Sequence, residues 1–147
     1  MKSDIMVKLV IKIEPKPQSR PRFSSRGGMV REDRAMKSWR RACSLLIANQ
    51  CRGHDPLEGV LRAKVGFYIQ PPQYISKPKK NQQGLIDETM PVGKKPDLDN
   101  YIKSVLDSAN GIIYQDDGQI AELVAKKVYS FNPRIELEIE RMDTNNG

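Results

Sequence analysis

Three stretches of this chain alternate apolar with polar residues, and what lies between them leaves few folds open. Ile5, Val7, Leu9, Ile11 and Ile13 share one face in residues 5–13, and Leu61, Ala63, Val65, Phe67 and Ile69 do so in 60–69. In 134–141, Ile135, Leu137 and Ile139 interleave with Glu136, Glu138 and Glu140. A period of two marks a half-buried strand. A fourth strand is expected near 121–130, joined to the last by a hairpin at Asn132-Pro133. Between the strands, Met36, Trp39, Cys43, Leu46 and Ile47 recur at helical spacing over about 34–50, where Asp33 can cap a helix. Leu98, Ile102, Val105, Leu106 and Ala109 do the same over 98–109, and Gly111 supplies the stop. The order β-α-β-(basic loop)-α-β-β implies an α+β domain. It should hold a small mixed sheet and two main helices packed on one of its faces, with the other face partly open.

A chain of 147 residues makes one domain over 1–147. Residues 70–96 are rich in Pro, Lys, Gln and Gly and show little periodicity, so a flexible basic loop is expected there. Residues 144–147 should fray. The start, Met-Lys-Ser-Asp, runs into a strand and does not read as a signal peptide. No run approaches the roughly 18 apolar residues of a membrane span. Cys43 and Cys51 form no C-x-x-C pair and His54 is the sole histidine, so a structural zinc site lacks ligands and two reduced thiols are expected.

Charge divides the chain. Residues 1–55 carry 13 Lys/Arg against 5 Asp/Glu, whereas residues 96–147 carry 5 against 10. A passive binder of nucleic acid gains nothing from such acids, which repel phosphate unless they hold a cation. The informative acids lie in residues 94–120. Asp97 and Asp99 stand two apart where Pro96 ends an extended segment and a helix begins, so the helix amides stabilise their charge. Lys103 follows Asp99 by four residues and projects from the same side, and Asn100 can orient a ligand or the loop. Asp116 and Asp117 come after a chain reversal that is expected to bring one of them opposite Asp97 and Asp99. Carboxylates without His or Cys suit Mg²⁺, with Mn²⁺ as a substitute, better than zinc. Such acids before a basic surface suit phosphodiester hydrolysis, with Lys103 neutralising charge that develops on the phosphoryl group or positioning the water. An EF-hand does not fit, because counting from Asp97 position 6 is Ile102 and position 12 is Ser108.

The stretch from Lys95 to Ile120 resembles the signature of RusA-type Holliday junction resolvases: a (K/R)-x-D-L-D-N-x-x-K element, a helix, then D-D-x-Q. Here these are Lys95-Pro96-Asp97-Leu98-Asp99-Asn100-Tyr101-Ile102-Lys103 and Asp116-Asp117-Gly118-Gln119. Arg20-Pro21-Arg22-Phe23 resembles the phage-type branch of that family more loosely. The resemblance implies a homodimeric, Mg²⁺-dependent endonuclease that places symmetric nicks in four-way junctions during recombination and repair. It would act in the cytoplasm of a bacterial or phage-infected cell, often from a prophage. It also implies that Asp97, Asp99 and Asp117 are the essential carboxylates and metal ligands, Lys103 the essential lysine, and Asp116 a secondary acid, with Asn100 and Gln119 in support. The long 70–95 segment departs from compact members and leaves junctions, flaps and other branched forms open as substrates. Independently, a four-way junction has two-fold symmetry while one chain carries one acidic cluster, so paired cuts need two copies.

Arg20, Arg22, Arg34, Lys37, Arg41, Lys94 and Lys95 are the candidate phosphate contacts, suited to holding DNA without reading bases. Phe23 is a candidate stacking residue, while Trp39 falls in the apolar stripe and is expected in the core. Two other readings compete: a non-catalytic accessory protein that binds branched DNA, and a metal-dependent phosphohydrolase of nucleotides. The second is weakened by the lack of a G-x-x-x-x-G-K-[ST] loop.

Overall fold

The computed structural model describes residues 6–19 and 34–142. Strand β1 (Met6–Ile11) leads to helix α1 (Arg34–Gln50) and strand β2 (Leu61–Ile69). Two short helices follow, α2 (Gln73–Ser76) and α3 (Gln82–Asp87), with a 3-10 turn at Lys79–Asn81 between them. Helix α4 (Leu98–Ala109), a 3-10 turn at Asp117–Gln119, and strands β3 (Ile120–Tyr129) and β4 (Arg134–Arg141) complete the order. The period-two and helical patterns thus mature into the expected α+β architecture with a mixed sheet. Asp33, Phe23, Arg20, Arg22 and the 144–147 tail lie outside the described residues.

The sheet order is β1-β4-β2-β3, which corrects the expected hairpin. β4 runs antiparallel to both β1 and β2, and β2 pairs in parallel with β3, so β3 and β4 are consecutive but not neighbours. Burial explains the exchange. Ile135, Leu137 and Ile139 of β4 are at most 1% exposed and need partners on both sides. β3 keeps Leu123 and Val124 at 40% and 64% exposure and belongs at an edge. The short connection therefore passes β2, and the Ser130 N–H caps that strand by donating to the Ile69 carbonyl at 2.9 Å.

One face of the sheet carries the core. Leu9 and Ile11, the β2 row Leu61, Ala63, Val65 and Phe67, and the β4 triad pack against Cys43 and Ile47 of α1 and Tyr101, Val105, Leu106 and Ala109 of α4. Trp39, expected in the core, is half-buried at the margin of this cluster, and its indole N–H donates to the Glu14 carbonyl at 2.8 Å. The two helices meet through small residues: the Ser44 hydroxyl donates to the Ser108 carbonyl at 2.8 Å, and Ser104 and Ser108 donate back along α4. Those buried hydroxyls are thereby satisfied. The opposite face is a charge ladder in which Lys8 meets Glu138 at 3.4 Å and Arg62 bridges Glu122 and Glu140 at 2.9 and 2.8 Å. Exposed pairs of this kind add little to stability, because water screens them, but they keep that face in water. Cys43 and Cys51 are free and buried, and burial pushes the Cys43 thiol up to about 11.

The segment expected as a flexible basic loop, 70–96, instead contains α2 and α3 over a second small core. Leu85, Val92 and Tyr129 cluster there with Ile69, Ile75 and Met90. Glu88 ends α3 in the left-handed region, at φ 59°, and fixes the segment to β4. Its carboxylate takes two guanidinium hydrogen bonds from Arg134, at 2.6 and 2.9 Å, and one from the Ser130 hydroxyl at 2.5 Å. The Val92 N–H donates to the Lys127 carbonyl and the Tyr129 N–H to the Met90 carbonyl, both at 3.0 Å, which covers the last part of the β3 edge. Local periodicity misses all of this because the apolar residues here are too sparse for either repeat and find their partners on β2 and β3.

Candidate active site along helix α4

Helix α4 buries Tyr101, Val105, Leu106 and Ala109, so its other side shows Asp99, Lys103 and Asp107, each a turn apart. Asp97 occupies the N-cap position with an extended backbone (φ −66°, ψ 145°), yet its side chain makes no capping hydrogen bond. Its carboxylate is therefore not consumed by the helix amides, although it keeps the benefit of the positive end of the helix dipole. Asp97 and Asp99 are both exposed. Lys103 pairs with Asp107, one turn onward, at 3.7 Å, and stays 61% exposed. Asp107 escaped the sequence reading, although its i+4 spacing from Lys103 was visible.

A second unforeseen residue sets the approach to Asp97. The Lys127 ammonium donates to the carbonyls of Lys94 and Pro96, both at 2.6 Å, and stands 6.0 Å from the Tyr101 ring centroid. Its own carbonyl accepts from Val92. One residue thus ties both ends of the 92–96 lead-in to β3. The signal was present: in β3 the phase of Leu123, Ala125 and Tyr129 faces the helices, and Lys127 interrupts it with a charge.

The second acidic element is built at the other end of α4. Gly111, at φ 78°, reverses the chain, and the Ile112 and Ile113 N–H groups both donate to the Ala109 carbonyl. The Tyr114 hydroxyl donates to the Leu106 carbonyl at 2.9 Å. The Asp117 N–H then donates to the Asn110 side-chain oxygen at 2.9 Å. Asp116 accepts from the Gly118 N–H at 2.8 Å, which commits it to capping the turn. The Gln119 side-chain oxygen accepts from the Gln115 and Asp116 N–H groups at 2.9 and 3.1 Å, and its amide donates to the Leu57 and Gly59 carbonyls, each at 3.0 Å. Gln119 is therefore the clamp that shapes the acidic turn. Burial, reinforced by the charges of Asp117, Asp107 and Asp116, holds the Tyr114 phenol well above its usual range.

These two ends do not meet. A 12-residue helix is about 18 Å long, with Asp97 capping one end and Asn110, which holds Asp117, capping the other. Among the described residues, no group of three or more His, Cys, Asp or Glu side chains is arranged to hold a metal ion. The expected convergence of Asp97, Asp99 and Asp117 is thus not formed within one chain. One chain offers a divalent ion the hard oxygens of an acid pair, and not a complete site.

The candidate DNA contacts Arg34, Lys37 and Arg41 are exposed on α1, and Lys94 and Lys95 are exposed just before Asp97. The Gln18 N–H donates to the Asn100 carbonyl at 3.0 Å, so the described chain approaches the first turn of α4 before the segment that contains Arg20 and Arg22. Among the described residues, no helix is long and apolar enough to cross a membrane. A family model described as endodeoxyribonuclease RusA matches residues 12–140. A curated relative from Bacillus subtilis (strain 168), the uncharacterized protein YqaN, is 34% identical over 137 residues, covering 92% of this chain and 96% of its own.

Proposed function

Because the chain belongs to the RusA family of endodeoxyribonucleases, we propose that it is a Mg²⁺-dependent homodimeric enzyme that resolves four-way junctions by paired symmetric nicks. The observation that carries this reading is the exposed Asp97 and Asp99 pair at the start of α4, where the Asp97 carboxylate takes no part in capping the helix. Two adjacent carboxylates at the positive end of a helix repel DNA unless they hold a cation. Carboxylate oxygens alone suit Mg²⁺, and Mn²⁺ in its place.

The third ligand is proposed to come from a second copy. With Asp117 fixed at the far end of its own α4, two chains related by a two-fold axis set the acid pair of one beside the partner's Asp117, at two equivalent places. The same symmetry matches a four-way junction, in which two strands must be cut. A divalent ion bound there supplies phosphoryl polarisation and a more acidic water. The chain's own residues do the rest. Lys103, exposed on the side of α4 that carries Asp99, offers its ammonium to the charge that builds on the scissile phosphate. Lys127 holds the lead-in that aims Asp97, and Gln119 and Asn110 hold the turn that aims Asp117. Arg20, Arg22, Arg34, Lys37, Arg41, Lys94 and Lys95 take the phosphates, and Asn100 supports the first turn. Recombination and repair of branched DNA in the cytoplasm of a bacterial or phage-infected cell is the setting this chemistry suits.

The direct test is nicking of a synthetic four-way junction with Mg²⁺. Asp97→Asn, Asp99→Asn and Asp117→Asn should each abolish cutting while leaving junction binding intact. Binding with no cutting by wild-type protein in either Mg²⁺ or Mn²⁺ would return the reading to an accessory DNA-binding protein.

A further inference from the structure

The short helices α2 and α3 have no part in the reaction described above, yet α2 brings an aromatic ring to the approach of Asp97. Tyr74, on α2, is 58% exposed. Its neighbour Ile75 packs into the second core, and the Ile75 and Ser76 N–H groups both donate to the Pro72 carbonyl, which fixes the backbone beneath the ring. The Lys94 ammonium lies over the Tyr74 ring at 4.4 Å from its centroid. Lys94 stands three residues before Asp97, and its carbonyl is held by Lys127 at 2.6 Å. The ring is therefore tied to the lead-in of the acid pair, with an ammonium group on it and much of its surface in solvent.

Single exposed apolar side chains are common and need no function. Tyr74 differs in the ammonium group held on its ring and in the charge of the segment that carries it. Lys77, Lys79, Lys80 and Lys95, all exposed, belong to the same segment, and Glu88 anchors that segment to Arg134 at 2.6 Å. A flat π surface carrying an ammonium group suits a nucleobase with its phosphate: the base stacks on the ring and the phosphate meets Lys94. In an intact duplex every base face is covered by its neighbours. A branch point leaves base faces open.

Resting on the nuclease reading above, we propose that Tyr74 is a base-stacking residue that recognises an exposed nucleobase at the branch point, with Lys94 holding the ring and contacting the adjoining phosphate. Branched DNA would thereby be distinguished from linear duplex by a ring, and not by base-edge hydrogen bonds.

The experiment compares wild type, Tyr74→Ala, Tyr74→Leu and Tyr74→Phe. Each binds a four-way junction with 2-aminopurine beside the branch point, and a linear duplex with the same arms, in the presence of a chelator so that binding is read without cutting. Alanine should weaken junction binding roughly 5- to 100-fold and remove the change in 2-aminopurine fluorescence, with duplex binding unchanged. Leucine, apolar but not planar, should behave as alanine does, and phenylalanine should retain both signals. An alanine variant that keeps wild-type junction affinity and fluorescence overturns the proposal, as does an equal loss on junction and duplex. Wild-type protein that shows no preference for the junction overturns it too. Thermal melting separates misfolding from lost stacking, and leucine serves as the probe if alanine fails to fold. Adding Mg²⁺ then reads cutting separately, so a protein that stacks but never cuts keeps this inference and loses the nuclease reading.

Discussion

Replacing Lys127 with methionine keeps most of the side-chain length and removes the charge that holds the Lys94–Pro96 lead-in. Two hydrogen bonds of 2.6 Å disappear. A hydrogen bond to a charged group contributes about 1.5–3 kcal/mol when well shielded. Lys94 and Pro96 are exposed, so water takes over part of the lost bonding and the net cost to stability should be about 1–2 kcal/mol. The effect on cutting should be larger. Releasing the lead-in frees Asp97 to shift, and a misplacement on the order of 1 Å at a reacting centre costs about 100-fold in rate. Single-turnover nicking against Mg²⁺ concentration, beside junction binding and thermal melting, separates these effects. The expected pattern is a cutting rate about 10- to 100-fold lower, a Mg²⁺ midpoint moved upward, junction binding close to wild type, and partial recovery in Lys127→Arg. A methionine variant that cuts at the wild-type rate with an unmoved Mg²⁺ midpoint refutes the reasoning.

Two further outcomes follow from the clamps. Gln119→Ala removes four hydrogen bonds around the acidic turn, two of them to the Leu57 and Gly59 carbonyls, and should destabilise the fold by about 1–3 kcal/mol in urea melts while also slowing cutting. Hydrogen bonds from Arg134 hold the Glu88 carboxyl below its ordinary value of about 4.5. A carboxyl whose folded pKa is depressed stabilises the fold above its unfolded pKa, and that stability is lost as pH falls through the folded value. Wild-type stability should therefore decline below about pH 4.5 more steeply than that of Glu88→Gln, which is less stable at neutral pH. Parallel declines in pH-dependent thermal melts would remove Glu88 as the anchor of the 70–96 segment.

What the sequence made legible was whatever depends on local repeats. The helical stripes found α1 and α4 at their observed bounds, and the period-two rows found β1, β2 and β4 together with the face each buries. Strand order was not legible, because the place of β4 between β1 and β2 is decided by burial on both of its sides and not by the few residues that join it to β3. The helices of 70–96 stayed hidden for a similar reason, since Leu85 and Val92 find their partner in Tyr129, far along the chain. At the site, the acid pair and the acidic turn were found by residue type and spacing, but their meeting was not. Closeness in sequence misled here: α4 between them is a rigid rod, and it separates what 20 residues of chain seem to keep together. Lys127 was visible only as a lysine in an apolar phase, and its partners are backbone carbonyls that no motif records.

Mixing two inactive variants tests the account most directly. Asp97→Asn and Asp117→Asn are unfolded together, refolded as a mixture, and assayed for junction nicking with Mg²⁺. If each site joins the acid pair of one chain to the partner's Asp117, a mixed dimer regains one intact site, and the mixture should recover about a quarter of wild-type nicking. If mixed dimers form and the mixture stays as inactive as either variant alone, each site is built within a single chain and the two-chain site proposed here does not exist.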